Sequence, residues 1–287
     1  MKTIMVLAAA CLSAIAFAQT PSPITYGDLQ LLSGLDSPSN GEGFPWISSD
    51  GLRLYYTQGP GGNNHLRLAS RTSITDQFTS STVVLVGEAI DQTSCSLSAD
   101  ELTLWFTSFG AVRKATRATT AAPWGASQAI NIIDTPTYSK SPTLTPDEQQ
   151  MVLSLDVDNV IYLERTGPMD YTYSGPVSSG VSGTGPCQMS ADGLYLYFGA
   201  TRNGHLIPHR MSRTSTTDPF GSTEYMEDAV FASGDNWFQC HAIPDGTVLF
   251  GTRNNDGMWT GDHLFSATSS LGTGVPLTWA KVGQMDL

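Results

Sequence analysis

The chain has 287 residues, with 14 Lys+Arg against 26 Asp+Glu and a formal net charge of -12. Charged residues make up only 14%, and 28 Gly and 16 Pro exclude a coiled coil or helical bundle, while the 40% hydrophobic share excludes a disordered chain. The acidic balance argues against nucleic acid as a partner, because neutralising phosphates needs a basic face.

At the N-terminus, Met1-Lys2-Thr3 carries one positive side chain, Ile4 to Leu12 is almost wholly apolar, and Ala16-Phe17-Ala18 sets small residues at a cleavage site. These features predict a secretory signal peptide over 1–18, cut after Ala18, and a secreted or periplasmic protein with one domain over 19–287. The apolar run is too short for a membrane span and no later segment is long enough, so none is expected. Lipid attachment at Cys11 ranks second, since Leu7 stands one place too far from it. Cleavage leaves Cys95, Cys187 and Cys240, an odd number for an exported chain, with no CxxC and no zinc-type His/Cys spacing. They read as small buried hydrophobes, with a Cys187–Cys240 bridge as the alternative.

Ile24 to Leu32 reads as a strand like Thr82 to Gly87 and like the C-terminal Leu277 to Met285, so either terminus can supply a final outer strand. Five turn motifs follow: Pro45 to Gly51, Cys95 to Glu101, Pro142 to Glu148, Cys187 to Gly193 and Cys240 to Gly246. Their acids, Asp50, Asp100, Asp147, Asp192 and Asp245, recur every 45–53 positions, and each Cys stands five places before its Asp. Period-two runs such as Leu52 to Tyr56, Leu102 to Phe106 and Leu194 to Phe198 come next and predict strands after a tight turn. A third strand ends near Arg71, Arg117, Arg165 or Arg213, and a polar loop then leads to Phe78, Trp124, Tyr171 or Tyr173, Phe220 or Trp279 before a fourth. Four strands per period, five times over, predict an all-β, five-bladed β-propeller of four-stranded antiparallel blades.

The motif Pro-x-x-Ser-x-Asp-Gly-x-x-Leu-Tyr-Phe resembles the PD40 repeat, the WD40-like blade of TolB-type propellers, and Arg213 to Gly221 is similar to versions in secreted bacterial proteins. The resemblance spans about residues 40–287 and implies the propeller fold. TolB-type proteins carry six blades and an extra α/β domain; this sequence shows five repeats and no such domain, so a Tol-system role is not implied.

In a propeller the loops leading into the innermost strands surround one mouth of the central channel. Trp46 and Trp237 are candidates for stacking on a sugar or another polar ligand, with Gln188, Asp235, Asn236, Gln239 and His241 supplying hydrogen bonds. His241 stands where the other repeats have Trp46, Ser96, Thr143 and Gln188, a break in the repeat at which function can be grafted. The same residues also suit structural duty, aromatics between blades and polar side chains capping strand ends. For glycoside hydrolysis two carboxylates must bracket one bond, and Glu42, Asp91, Asp134 and Asp235 are the available acids. The innermost strands carry Ser, Thr, Gln and Cys in place of acids, and no Gly-x-Ser-x-Gly elbow occurs, which favours a binding module over an enzyme. No cofactor is expected; Asp156 to Asn159 and Asn254 to Gly257 offer oxygen ligands for a structural calcium but match no EF-hand loop and read as Asx-rich turns. The expected partner is a protein or a carbohydrate held over the channel mouth.

Overall fold

The computed structural model describes residues 26–269, apart from 38–39, 60–62, 85, 87–90, 135–139, 157, 203–204, 226–235, 243–247 and 255–262. The signal-peptide region 1–18, the fifth turn Asp245-Gly246, Trp279 and the C-terminal strand candidate lie outside these residues. In chain order, β1 (Tyr26–Leu31) is followed by a sheet of β2 (Gly41–Ile47), β3 (Arg53–Gly59), β4 (His65–Ser70) and β5 (Ser81–Val83). The second sheet holds β6 (Gln92–Leu97), β7 (Thr103–Ser108), β8 (Ala111–Thr116) and β9 (Gln128–Ala129). After β10 (Asn131–Ile133) comes the third, with β11 (Lys140–Leu144), β12 (Gln150–Asp156), β13 (Asn159–Arg165) and β14 (Asp170–Pro176). The fourth has β15 (Cys187–Met189), β16 (Tyr195–Arg202), β17 (His205–Ser212) and β18 (Glu224–Tyr225), and the fifth β19 (Asn236–Ala242), β20 (Val248–Asn254) and β21 (His263–Ser269).

The first strand of each sheet touches the first strand of the next: β2 meets β6, then β11, β15 and β19, and β19 meets β2 again. The arrangement is therefore all-β and propeller-like, with radially placed sheets around a common centre. Two details differ from a plain repeat of antiparallel four-stranded sheets. β10 pairs in parallel with β14 on the outer edge of the third sheet, giving it five strands and tying it to the second sheet, from which β10 emerges. β1 pairs antiparallel with β21, so the N-terminal strand completes the last sheet.

The repeated turn has a physical cause. The Ser48 hydroxyl donates to Asp50 Oδ1 (2.6 Å) and accepts from the Arg53 amide (2.9 Å), while Asp50 Oδ1 also accepts from the Leu52 amide (3.0 Å). Ser98 with Asp100, Thr145 with Asp147 and Ser190 with Asp192 repeat the pattern. These side-chain bonds satisfy amides that the hairpin leaves open. The residue after each Asp has a positive φ: 71° at Gly51, 59° at Glu101, 58° at Glu148 and 75° at Gly193.

An arginine then ties each outer loop to this turn. Arg71, Arg117 and Arg213 donate from Nε to the carbonyls of Gly51, Glu101 and Gly193, each at 2.8 Å. Their guanidinium groups lie over Phe78, Trp124 and Phe220 at 4.7, 4.3 and 4.4 Å. The third sheet replaces this clasp: Arg165 donates to the Gly167 carbonyl, and the Tyr171 hydroxyl donates to the Glu148 carbonyl at 2.9 Å. Apolar clusters fill the spaces between consecutive sheets. Leu264 joins Ile47, Leu54 and Phe78 at the seam between last and first, and Trp46, Tyr55, Cys95 and Phe106 pack between first and second.

Candidate functional site

An innermost strand is a sheet edge, and its free backbone groups face the centre of the ring. Left unpaired inside a protein, each such group costs about 1–3 kcal/mol. Here side chains supply the partners. The Ser141 amide donates to Ser94 Oγ (3.1 Å), the Cys187 amide to Ser154 Oγ (3.1 Å) and the Met189 amide to Thr143 Oγ1 (2.8 Å). Gln188 reaches from the fourth sheet to the second and donates from Nε2 to the Cys95 carbonyl at 3.1 Å. His241 bridges three innermost strands: its Nδ1 accepts from the Ile47 amide on β2 (3.0 Å), and its Nε2 lies 3.1 Å from the Met189 carbonyl on β15. An amide only donates, so Nδ1 carries no proton and Nε2–H donates to Met189. Burial pulls the His241 pKa down to about 4, against an upward pull from the bond to the Met189 carbonyl.

Trp46 stacks on His241 with ring centroids 5.7 Å apart and meets Tyr55 edge-on at 5.8 Å. Trp46, Gln188 and His241 are each 1% exposed. The structure thus brings these three candidates to one level of the ring; Trp46, His241 and the Gln188 amide nitrogen engage the protein itself, while Gln188 Oε1 is buried without a partner among the described residues. The equivalent Ser96 and Thr143 are buried at the same level. Among the candidates near the mouth, Asn236, Trp237 and Gln239 lie on β19 around a bulge between Trp237 and Gln239, and Asp235 lies outside the described residues. Bulges also interrupt β2, β6 and β11, with positive φ at Phe44 (53°), Ser94 (47°) and Ser141 (52°). A bulge re-aims the side chains beside it, and here Ser94 reaches the third sheet at Ser141. Gln92 at the start of β6 accepts the Leu66 amide at 3.2 Å.

The acids are dispersed. Glu42 is buried and accepts from Gln58 Nε2 (2.8 Å), which also reaches the Leu35 carbonyl. Asp91 accepts from Asn64 Nδ2 at 3.0 Å in the hairpin facing the second sheet. Asp134 is exposed and follows β10, the outermost strand of its sheet. Four strand spacings of about 4.8 Å separate that edge from β11, so Asp134 stands far from the ring centre. Asp158 of the calcium candidate accepts the Thr184 amide at 2.7 Å, and no cluster of three metal-type ligands occurs among the described residues. Cys95 and Cys187 are buried free thiols, so a Cys187–Cys240 bridge is absent; burial pushes both thiols up to about 12. No helix among the described residues is long and apolar enough to cross a membrane.

No family model matches the sequence, and no curated protein matches it. Solved structures match its fold. The catalytic domain of the Coprinopsis cinerea GH62 alpha-L-arabinofuranosidase superimposes with a TM-score of 0.63 at 12% identity, covering 86% of this chain and 97% of that one. A putative TolB from Agrobacterium tumefaciens matches with a TM-score of 0.50 at 16% identity, over 83% of this chain and 80% of its own. The fold is a TolB-like β-propeller. At such identities the likeness extends to the fold alone.

Proposed function

We propose that the chain is an exported five-bladed propeller, processed after Ala18, that acts as a recognition module and holds a protein or a carbohydrate over the mouth where its innermost strands begin. The observation that carries this reading is the internal use of the polar residues at the ring centre. Gln188, His241, Thr143 and Ser94 satisfy strand edges, which leaves the loop-bearing end as the surface open to a partner. Phe109 is 68% exposed at the tip of the β7–β8 hairpin, next to Ser108, which pairs with Gln92 at the start of β6. That register sets an exposed aromatic at the same end as Asp91 and Trp237, and aromatics with a few polar neighbours suit both sugar and protein contacts.

A glycan hydrolase is the second reading, favoured by the fold likeness to an arabinofuranosidase catalytic domain. Retaining and inverting hydrolysis need carboxyl groups about 5–9.5 Å apart across one bond. Glu42 and Asp91 are held by separate partners, Gln58 and Asn64, and Asp134 sits at an outer edge, which weighs against such a pair. A thermal-shift screen of residues 19–287 against oligosaccharides, with products followed by mass, tests both readings. A ligand at a hundred times its Kd adds about 2.7 kcal/mol of stability. A shift without product supports the module. Product formation that disappears in Asp91→Ala or Asp235→Ala protein establishes the hydrolase and overturns it.

A further inference from the structure

We propose that His241 is an acid-operated latch on the seam that closes the ring, released when its Nδ1 takes up a proton. The inference does not depend on what the mouth binds. The seam joins the first and last sheets: β2 touches β19, and β1 pairs with β21, so the first and last described strands meet there. His241 is the described side chain of β19 that bonds β2, through Nδ1 and the Ile47 amide, while its Nε2–H holds Met189 on β15. A proton on Nδ1 sets two N–H donors against each other and breaks the bond to Ile47. It also creates a buried cation.

Among the described side chains, none compensates that charge. On β2, Glu42 is engaged by Gln58, and Trp46 covers one face of the imidazole. Tyr55 on β3 stands edge-on to Trp46 and donates to Glu101, and burial raises its pKa to about 12. Cys187 on β15 and Cys95 on β6 are thiols held neutral by burial. Arg210 on β17 is paired with Glu224, and His209 on the same strand lies against Phe198 and the Ile207 carbonyl. On the fifth sheet's other strands, Arg253 and His263 are opposite each other in the backbone register, at the mouth end with Trp237. Burial is the first cause of the depressed His241 pKa, so the neutral form prevails at neutral pH.

The repeat itself provides the control. Gln188 occupies the position of His241 in the preceding repeat and bonds a backbone carbonyl across the ring. In His241→Gln protein an amide oxygen accepts from Ile47 and the amide nitrogen donates to Met189, without a titrating group. Equilibrium unfolding of the full chain from pH 7 to 4 compares the two. The wild-type unfolding constant should rise relative to that of the variant by about tenfold per pH unit between pH 6 and 4.5. Parallel curves overturn the latch. A second measurement needs only wild-type protein: exchange of the Ile47 amide against that of Met189, whose acceptor Thr143 Oγ1 does not titrate. Protection of Ile47 should fall relative to Met189 as pH drops from 6 to 4. Loss of protection in step at both amides, or a native His241 titration near 6.5 by NMR, refutes the proposal.

Discussion

Glu101 tests the packing logic most sharply, because a favourable and an unfavourable effect meet in one residue. Its carboxylate is 3% exposed and accepts from Arg53 Nε at 2.7 and 2.8 Å and from the Tyr55 hydroxyl at 3.2 Å, with Arg117 3.8 Å away. It links the first and second sheets and raises the Arg53 pKa. Its backbone has φ 59°, where the repeats with Asp-Gly use glycine. Breaking a buried ion pair costs about 3–5 kcal/mol. Arg53 keeps Asp50 and is 32% exposed, while Arg117 keeps the residue 101 carbonyl and the Trp124 face, so the lower end applies. We expect Glu101→Ala to lose about 3 kcal/mol. Glu101→Gly loses the same ion pair but relieves about 1 kcal/mol of left-handed backbone strain. The smaller side chain should therefore be the milder substitution, near 2 kcal/mol. Urea unfolding with a common m value reads the difference directly. A glycine variant as unstable as the alanine variant, or more so, refutes the reasoning.

Three further outcomes follow. Asp100 and Asp147 are held below the usual carboxylate pKa, first by the hydroxyls of Ser98 and Thr145. The stability this lends is complete above the unfolded value near 4 and is lost as pH falls through the folded one, so Tm should decline more steeply below pH 4 in wild type than in Asp100→Asn/Asp147→Asn protein. Arg213→Lys should cost about 2–3 kcal/mol in urea unfolding, because an ammonium cannot reach the Gly193 carbonyl, Gln150 and the Asp218 carbonyl together while stacking on Phe220. Cys95 and Cys187 should resist iodoacetamide at pH 8 in the native protein and react after unfolding, as peptide masses will show.

Much of the fold is legible in the sequence because the turn is local. Ser48-x-Asp50 and its repeats close their own hairpins, so spacing alone locates the first two strands of each sheet. The Arg213 clasp is equally readable, since arginine, turn and aromatic recur in order. Contacts that cross sheets are not. The parallel seat of β10 depends on the Met169 carbonyl receiving the Asn131 amide, far along the chain. Residues 24–32 and 277–285 share one strand pattern, so the choice of the N-terminal strand to complete the last sheet rests on its pairing with β21. The candidate site is the least legible part of the sequence. Gln188 and His241 look like ligand contacts because polar side chains on innermost strands suggest a pocket, yet each answers an unpaired edge of a strand distant in sequence. Their polarity marks the ring centre without saying whether a ligand or the backbone uses it.

The measurement that bears most directly on the central claim is the affinity of the best ligand from the screen for wild-type, Trp237→Ala and His241→Gln proteins at pH 7, by titration calorimetry. If the mouth recognises the partner and the ring centre serves the fold, Trp237→Ala should weaken binding tenfold or more while His241→Gln leaves it within twofold. The reverse pattern, with His241→Gln folded but unable to bind and Trp237→Ala unaffected, contradicts the account.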